Sequence, residues 1–561
     1  MTTATLAQTP VNELADRFWE WFLETQPMWA TFLGDERWSD RWDDPSPEGR
    51  EREESSLRQL LTDADTVDAP DLETEDRITL DMLRVVANLR LAHFEQRIWQ
   101  LDQVDQLAGP QNLPGELARF QRIDTPDRLD ALIGRLDAYP AYVDKIRANI
   151  EEGMREGRTA AAPVIERTIT QVRRALETPV DESPLLLAHA DADEATRAAI
   201  SAALERDVRP AMAALLQTLN TYAPHARAGD GVCWLPDGDA LYRYNVLAST
   251  TLNEDPQALH DYGLSQIEEI DRERLAIARD LGYPDIAALR IHLDEDPLNH
   301  ATEPSQLVDL ARAQIEKAAA LAPRYFGRLP RAECEVRAVE PHQEQEAPSA
   351  FYFPPAPDGS RPGIYFINTF DPSSRPLHRL ASTTYHEAVP GHHFQITIET
   401  ELQGLPAFRR LGSRLTGAAY PEGWGLYSER LADEMGLFDD PRERFGMLDA
   451  QAWRAARLVV DTGMHAFRWD RQRSVDFLRS AVGLTQLEAE TETDRYISWP
   501  GQALAYKTGQ RAIESLRRQI EARDGARFDL KAFHDAVLGH GSLPLATLTR
   551  ELPNWVVPAA G

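Results

Sequence analysis

The stretch "TTYHEAVPGHHFQ", residues Thr383–Gln395, decides how the rest of the chain is read. His386 and Glu387 open it like an H-E-x-x-H helix, in which two histidines four apart reach one ion and the glutamate holds a water. Position 390, where that pattern needs its second histidine, is proline, and the next histidines are His392 and His393. On a regular helix, residues six apart are rotated by roughly 240°, and residues seven apart are separated by a rise of about 10.5 Å. Neither histidine would then share an ion with His386. The helix cannot be regular, because Pro390 has no N–H for the carbonyl of His386 and disfavours helical backbone at Val389. Gly391 opens backbone angles closed to other residues. The spacing therefore predicts that "VPG" loops out as an insertion and returns the helix in register. His392 then takes the second ligand position, and His393 points elsewhere.

A third ligand is available thirty residues on. In "AYPEGWGLYSERLADEMG", Glu422 enters a helix directly after a proline. A glutamate from a following helix completes a His2Glu site with one position open for water. Glu429, seven residues later on nearly the same face, suits an outer partner that orients a ligand histidine. His2Glu ligation makes zinc the default metal, one ion per chain.

Composition narrows the function class. Hydrophobic residues make up 42% of the 561 and charged residues 27%, which is enough apolar content for a large packed core. A formal net charge of −31 repels phosphate backbones, so neither nucleic acid nor an anionic membrane surface is expected as a partner. Cys233 and Cys334 lie far apart and form neither a disulfide framework nor a thiolate metal site. The N-terminal stretch "MTTATLAQTPVNELADRFWEWFLETQPMW" lacks a basic n-region and a continuous apolar core, and no later segment has the length of a membrane span. A soluble, cytoplasmic protein is expected.

Most of the chain has helical periodicity. "VNELADRFWEWFLET" places Leu14, Phe18, Trp21 and Phe22 near one face, and a second helical pattern runs from Thr74 to Ile98. "TPDRLDALIGRLDAYPAYVDKIRANIEEGMREG" predicts two helices, separated or kinked at Pro140. The turn-rich "AGDGVCWLPDGDALYRYNVLAST" has room for one short strand. Between about 330 and 370, "ECEVRAVEP" and "GIYFIN" are strand candidates, with a turn in "FYFPPAPDGSRPG". From Leu377 onward the pattern is helical. The expected organisation is a mainly helical N-terminal half over residues 1–325. A second half over 326–561 carries the short strands and then the metal-site helices, and the two form one two-lobed unit.

Four blocks, "YHEAVPGHHFQ", "YPEGWGLYSERLADEMG", "RAARLVVDTGMHAFRWD" and "SWPGQALAYKTGQ", together resemble the DUF885 family of bacterial proteins of unknown function, itself similar to gluzincin-type zinc metallopeptidases. The resemblance implies a mainly α, large helical zincin-like fold with a small β-sheet beside the metal helix and a central cleft. It also bears on the ligands. "PEGW" resembles the N-E-G-F-like motif of gluzincins, favouring Glu422 over Glu429. Gly391-His392 looks like the Gly-His ending of the expanded motif in peptidases of the dipeptidyl-peptidase III type, favouring His392 over His393.

The activity implied is zinc-dependent hydrolysis of short peptides, carboxypeptidase- or dipeptidase-like, with Glu387 as general base. Oxyanion donors are expected from His465 or Tyr506 in the last two blocks. Asp461 is expected to make a structural hydrogen bond. Asn368, at the end of "GIYFIN", is a candidate substrate contact, as are Arg457 for a substrate carboxylate and Lys507. "GIYFIN" itself is similar to the edge strand along which zincins align a peptide. Two other readings are an amidase acting on a non-peptide metabolite and a catalytically silent protein that binds peptide or metal. The intact Glu387 argues against the silent reading.

Overall fold

The structure, a computed structural model, describes residues 8–340, 344, 347–356, 359 and 361–557. It is mainly helical, with a single three-stranded sheet among the described residues. Many of its helices begin the same way, with a capping side chain followed by proline. Thr9, Ser46, Thr125, Asp255 and Asp440 each accept a hydrogen bond from a backbone N–H in the first turn, and each is followed by proline at the first helical position. The cap satisfies an otherwise orphaned donor, and proline gives up an N–H that had no partner there.

The helix Pro10–Thr25 buries Leu14, Phe18 and Phe22 as its periodicity demands, while Trp21 is half-buried. The Thr74 pattern forms Thr74–Glu95. Two local expectations are corrected. Residues Pro126–Arg155 form one helix with Pro140 inside it, since the burial of Tyr139 and Val143 on either side holds the chain helical across the missing bond. The turn-rich stretch near Val232 contains no strand; it forms a 3-10 turn over Val232–Trp234 and the helix Gly238–Thr250.

Strands β1 (Cys334–Ala338), β2 (Ala350–Phe353) and β3 (Gly363–Ile367) form the sheet in the order β1-β3-β2. β3 pairs in parallel with β1 and antiparallel with β2, with Tyr365 opposite both Val336 and Tyr352. "GIYFIN" is thus the central strand, with both its backbone edges used. β2, which the sequence reading took for the start of a turn, is a free edge. The turn that follows lies partly outside the described residues.

Three hydrophobic clusters hold the described residues together, and the two larger ones each join side chains from both sides of residue 325. One combines Val11–Phe94 side chains with others from 301–437 and 505–556. The other combines the helices of 132–293 with residues 445–503. The long helix Pro441–His465 packs along Pro256–Asp280, and the buried Asp449 ties it there through Arg274 at 2.8 Å and Arg290 at 2.7 Å. No described helix is long and apolar enough to cross a membrane.

Candidate metal centre and active-site cleft

His386 and Glu387 are the last two residues of the helix Leu377–Glu387. The backbone leaves helical geometry at Ala388 (φ −108°, ψ −101°) and re-enters a helix at His392, which continues to Thr400. The turn between them is tight. A Cβ on Gly391 would lie 1.9 Å from the carbonyl oxygen of His386, so only glycine lets the second helix start this close to the end of the first. The carbonyl of Pro390 accepts from Trp424 Nε1 at 2.9 Å and Ser428 Oγ at 3.3 Å. Both donors lie on the helix Ala419–Glu434, which clamps the insertion from outside. Gly425 on that helix faces the His386 ring, and a Cβ there would come within 2.5 Å of it.

This turn brings the His386 and His392 rings to 4.7 Å, nearly perpendicular. Oε2 of Glu422 lies 3.4 Å from Nε2 of His386 and 3.6 Å from Nε2 of His392. Both separations exceed the hydrogen-bond range of about 2.7–3.2 Å. They are close to the ligand–ligand spacing of about 3.3 Å that a tetrahedral ion with bonds of about 2.0–2.1 Å imposes. A Glu387 carboxylate oxygen and one nitrogen of each histidine also lie within 4.8 Å of one another. Glu387 and Glu422 therefore compete for the third place, and their electrostatics separate them. Burial raises Glu422, but His386 and His392 outweigh it and hold its carboxyl well below the usual range. Burial raises Glu387 above its ordinary value, and its carboxylate makes no hydrogen bond to any described residue. Glu422 is the better ligand and Glu387 the better base.

A polar chain backs the centre. His386 Nδ1 lies 2.8 Å from Oε1 of Glu429, whose Oε2 accepts from Gln451 Nε2 at 2.8 Å. Oε1 of Gln451 in turn accepts from Lys507 Nζ at 3.1 Å. Burial would lower His386, yet Glu422 and Glu429 push it up to about 10. The cluster thus calls for positive charge, which a divalent cation satisfies as well as a proton. The donor set fits a His2Glu-bound ion.

His393 takes no part. It is buried on the far side of the turn, with Nδ1 at 2.9 Å from the Tyr352 hydroxyl and 3.2 Å from Thr397 Oγ1, and burial pushes it down to about 4.

The centre lines a cleft of 1230 Å³ that also takes in Tyr506, Arg454, Arg457, Arg414 and the β2 residues Phe351–Phe353. Tyr506 makes no hydrogen bond to a described residue, and its ring lies 4.5 Å from the Arg457 guanidinium. Three other candidates lie elsewhere. His465 is fully buried, accepting from the Val232 N–H at 3.1 Å and donating to the Tyr496 carbonyl at 3.0 Å, so neither ring nitrogen is free for an oxyanion. Asn368 ties down the loop before it, donating to the carbonyls of Glu344 at 2.6 Å and Ala347 at 3.0 Å. Lys507 lies behind the centre; besides Gln451 it donates to Gln510 at 2.9 Å, and it does not line the cleft. Asp461 makes the structural bonds expected of it, accepting from the Tyr242 hydroxyl at 2.6 Å and the Gly501 N–H at 3.1 Å. Sequence reasoning missed Gln451 and Arg454. Arg454 had a signal, its three-residue spacing to Arg457 on one helix face, and Gln451 had none.

Residues 27–552 match the family described as "Bacterial protein of unknown function (DUF885)". The chain belongs to DUF885. Two solved structures share the DUF885 protein's fold over nearly its whole length. A "putative lipoprotein" from Colwellia psychrerythraea has a TM-score of 0.90 at 26% identity, covering 98% of this chain and 100% of its own. A "putative lipoprotein of unknown function" from Shewanella oneidensis has a TM-score of 0.77 at 19% identity, covering 96% of this chain and 99% of its own. No curated protein matches the sequence.

Proposed function

We propose that this DUF885 protein is a zinc-dependent metallopeptidase acting on short peptides, similar in its site to the gluzincins. The observation that carries the reading is the single oxygen of Glu422 lying 3.4 and 3.6 Å from the Nε2 atoms of His386 and His392. A zinc ion held by these three residues would supply an activated water and polarise the scissile carbonyl. The protein's own groups do the rest. Glu387, raised by burial and free of hydrogen bonds, takes a proton from the attacking water and returns it to the leaving amine. The Tyr506 hydroxyl, unpaired at the cleft wall with the Arg457 cation on its ring, donates to the carbonyl oxygen as negative charge develops there. Glu429 holds His386 in the tautomer with its proton on Nδ1. The free strand edge at the cleft is β2, so a peptide aligned by backbone pairing would run along Phe351–Phe353 rather than "GIYFIN".

Two measurements test this. The purified protein is expected to hold about one equivalent of zinc, and His386→Ala to lose it. A mixed peptide library should be cleaved by the native protein and left intact by Glu387→Gln, with the metal retained in that variant. Hydrolysis of acylated metabolites but of no peptide would move the reading to an amidase.

A further inference from the structure

The chain carries 91 acidic side chains against 60 basic ones, so an arginine without a carboxylate partner is unexpected. The cleft holds three that make no ion pair with a described residue, Arg410, Arg414 and Arg454, and of these only Arg454 has a buried nitrogen without a partner among the described residues. Arg454 lines the cleft together with His386 and Glu387, yet makes no ion pair with any described residue. Among the described residues its only hydrogen bond is a long 3.4 Å contact from Nη1 to the carbonyl of Ala450 in its own helix, and its Nε is buried without a partner there. Arg457, one turn further along the same helix face, lines the cleft too and is 5% exposed. It bonds to Tyr496 at 2.9 Å and Glu492 at 3.1 Å, but its Nη1 is buried with no partner among the described residues. Glu387, Glu429 and Glu492 all feel Arg454, but none of them reaches it. Leaving buried guanidinium donors unsatisfied is costly, and a carboxylate is the group whose two oxygens match their geometry.

We propose that Arg454, with Arg457 behind it, is the subsite for a substrate carboxylate next to the metal centre. The substrates are then peptides with a free carboxylate close to the scissile bond. The C-terminal carboxylate would make the enzyme an exopeptidase, whereas an acidic side chain would make it acid-selective. This assignment rests on the metallopeptidase reading for its scissile bond, though not for its binding.

The test compares one peptide in three forms: a free C-terminus, an amidated C-terminus, and an amidated C-terminus preceded by glutamate. With the zinc-loaded enzyme, the free acid is expected to have kcat/KM about 10–100-fold above the amide, chiefly through KM, as charge-assisted hydrogen bonds imply. Recovery of that advantage in the glutamate form would assign the subsite to a side chain instead. Arg454→Gln should bring the free acid down to the amide, and Arg454→Lys should restore part of the difference. Equal cleavage of all three forms by the native enzyme would overturn the subsite. An equal loss on both in Arg454→Gln, with the acid limb of the kcat profile moved up in pH, would overturn it too, because Arg454 would then act through Glu387. Titration calorimetry with the Glu387→Gln protein reads the same preference without turnover. If no peptide is hydrolysed at all, the peptidase reading fails. A preference in binding for the free acid or the glutamate form that Arg454→Gln removes would still support the subsite, and equal binding of all three forms would overturn it.

Discussion

Nδ1 of His386 sits 2.8 Å from Oε1 of Glu429, and this contact decides which ring nitrogen is left for an ion. With Nδ1 donating to the carboxylate, the lone pair is on Nε2, the atom that faces Glu422. Glu429→Ala is expected to weaken zinc affinity by about 10–100-fold, as lost outer partners of ligand histidines do. Competition with a chelator measures it, and unchanged affinity would remove the role assigned to Glu429.

His392 and His393 are adjacent in sequence and opposite in role. His392→Ala should release the ion. His393→Ala should keep it but lose stability by about 1–3 kcal/mol, because the buried Tyr352 hydroxyl keeps only Thr397 of its two partners and the lost ring leaves a cavity. Metal content and a thermal melt on each variant decide between them, and loss of metal from the His393 variant would contradict the assignment.

His465 gives the matching prediction for a residue taken out of the chemistry. Removing its ring in His465→Ala leaves the Val232 N–H unpaired and opens a cavity, costing about 2–4 kcal/mol. KM and zinc stoichiometry below the melting transition should stay at the native values. A fall in kcat of a hundredfold or more in folded protein would return His465 to the mechanism.

Asp461 should govern part of the pH dependence of stability. Burial raises its carboxyl to about 7, from an ordinary value of 3.8. Between those values the folded state holds a proton that the unfolded state has released. The stability this group contributes is therefore fully present below about pH 4 and is lost as the pH rises through 7, at up to about 1.4 kcal/mol per pH unit. Asp461→Asn keeps an oxygen for Tyr242 and Gly501 and removes the titration. Melting temperatures from pH 4.5 to 7.5 should show the variant gaining on the native protein as pH rises, and a constant offset would exclude Asp461 as the source.

The break after Glu387 was legible because its causes are local: a proline without an N–H and a glycine without a Cβ act on their own neighbours. The same holds for strands β1 and β3, whose residue patterns are local. β2 was not legible, since "AFYF" followed by two prolines has no local signal of its partner; pairing with β3 makes it a strand. Pro140 was misleading for the converse reason, because packing of the flanking side chains outweighs one lost hydrogen bond.

The sequence by itself singled out His386, Glu387, Glu422 and Glu429 as candidate site residues and narrowed the second histidine to two, because ligand chemistry is a property of side-chain types at fixed spacing. Only the tertiary structure decided that His392 faces Glu422 while His393 faces Tyr352, since a ring's direction depends on what packs against the turn that carries it. It also decided that Asn368, His465 and Lys507 serve the scaffold while Arg454 reaches the cleft. Their side chains are polar in either role, and only the positions of donors and acceptors distant in the chain tell whether that polarity is already satisfied.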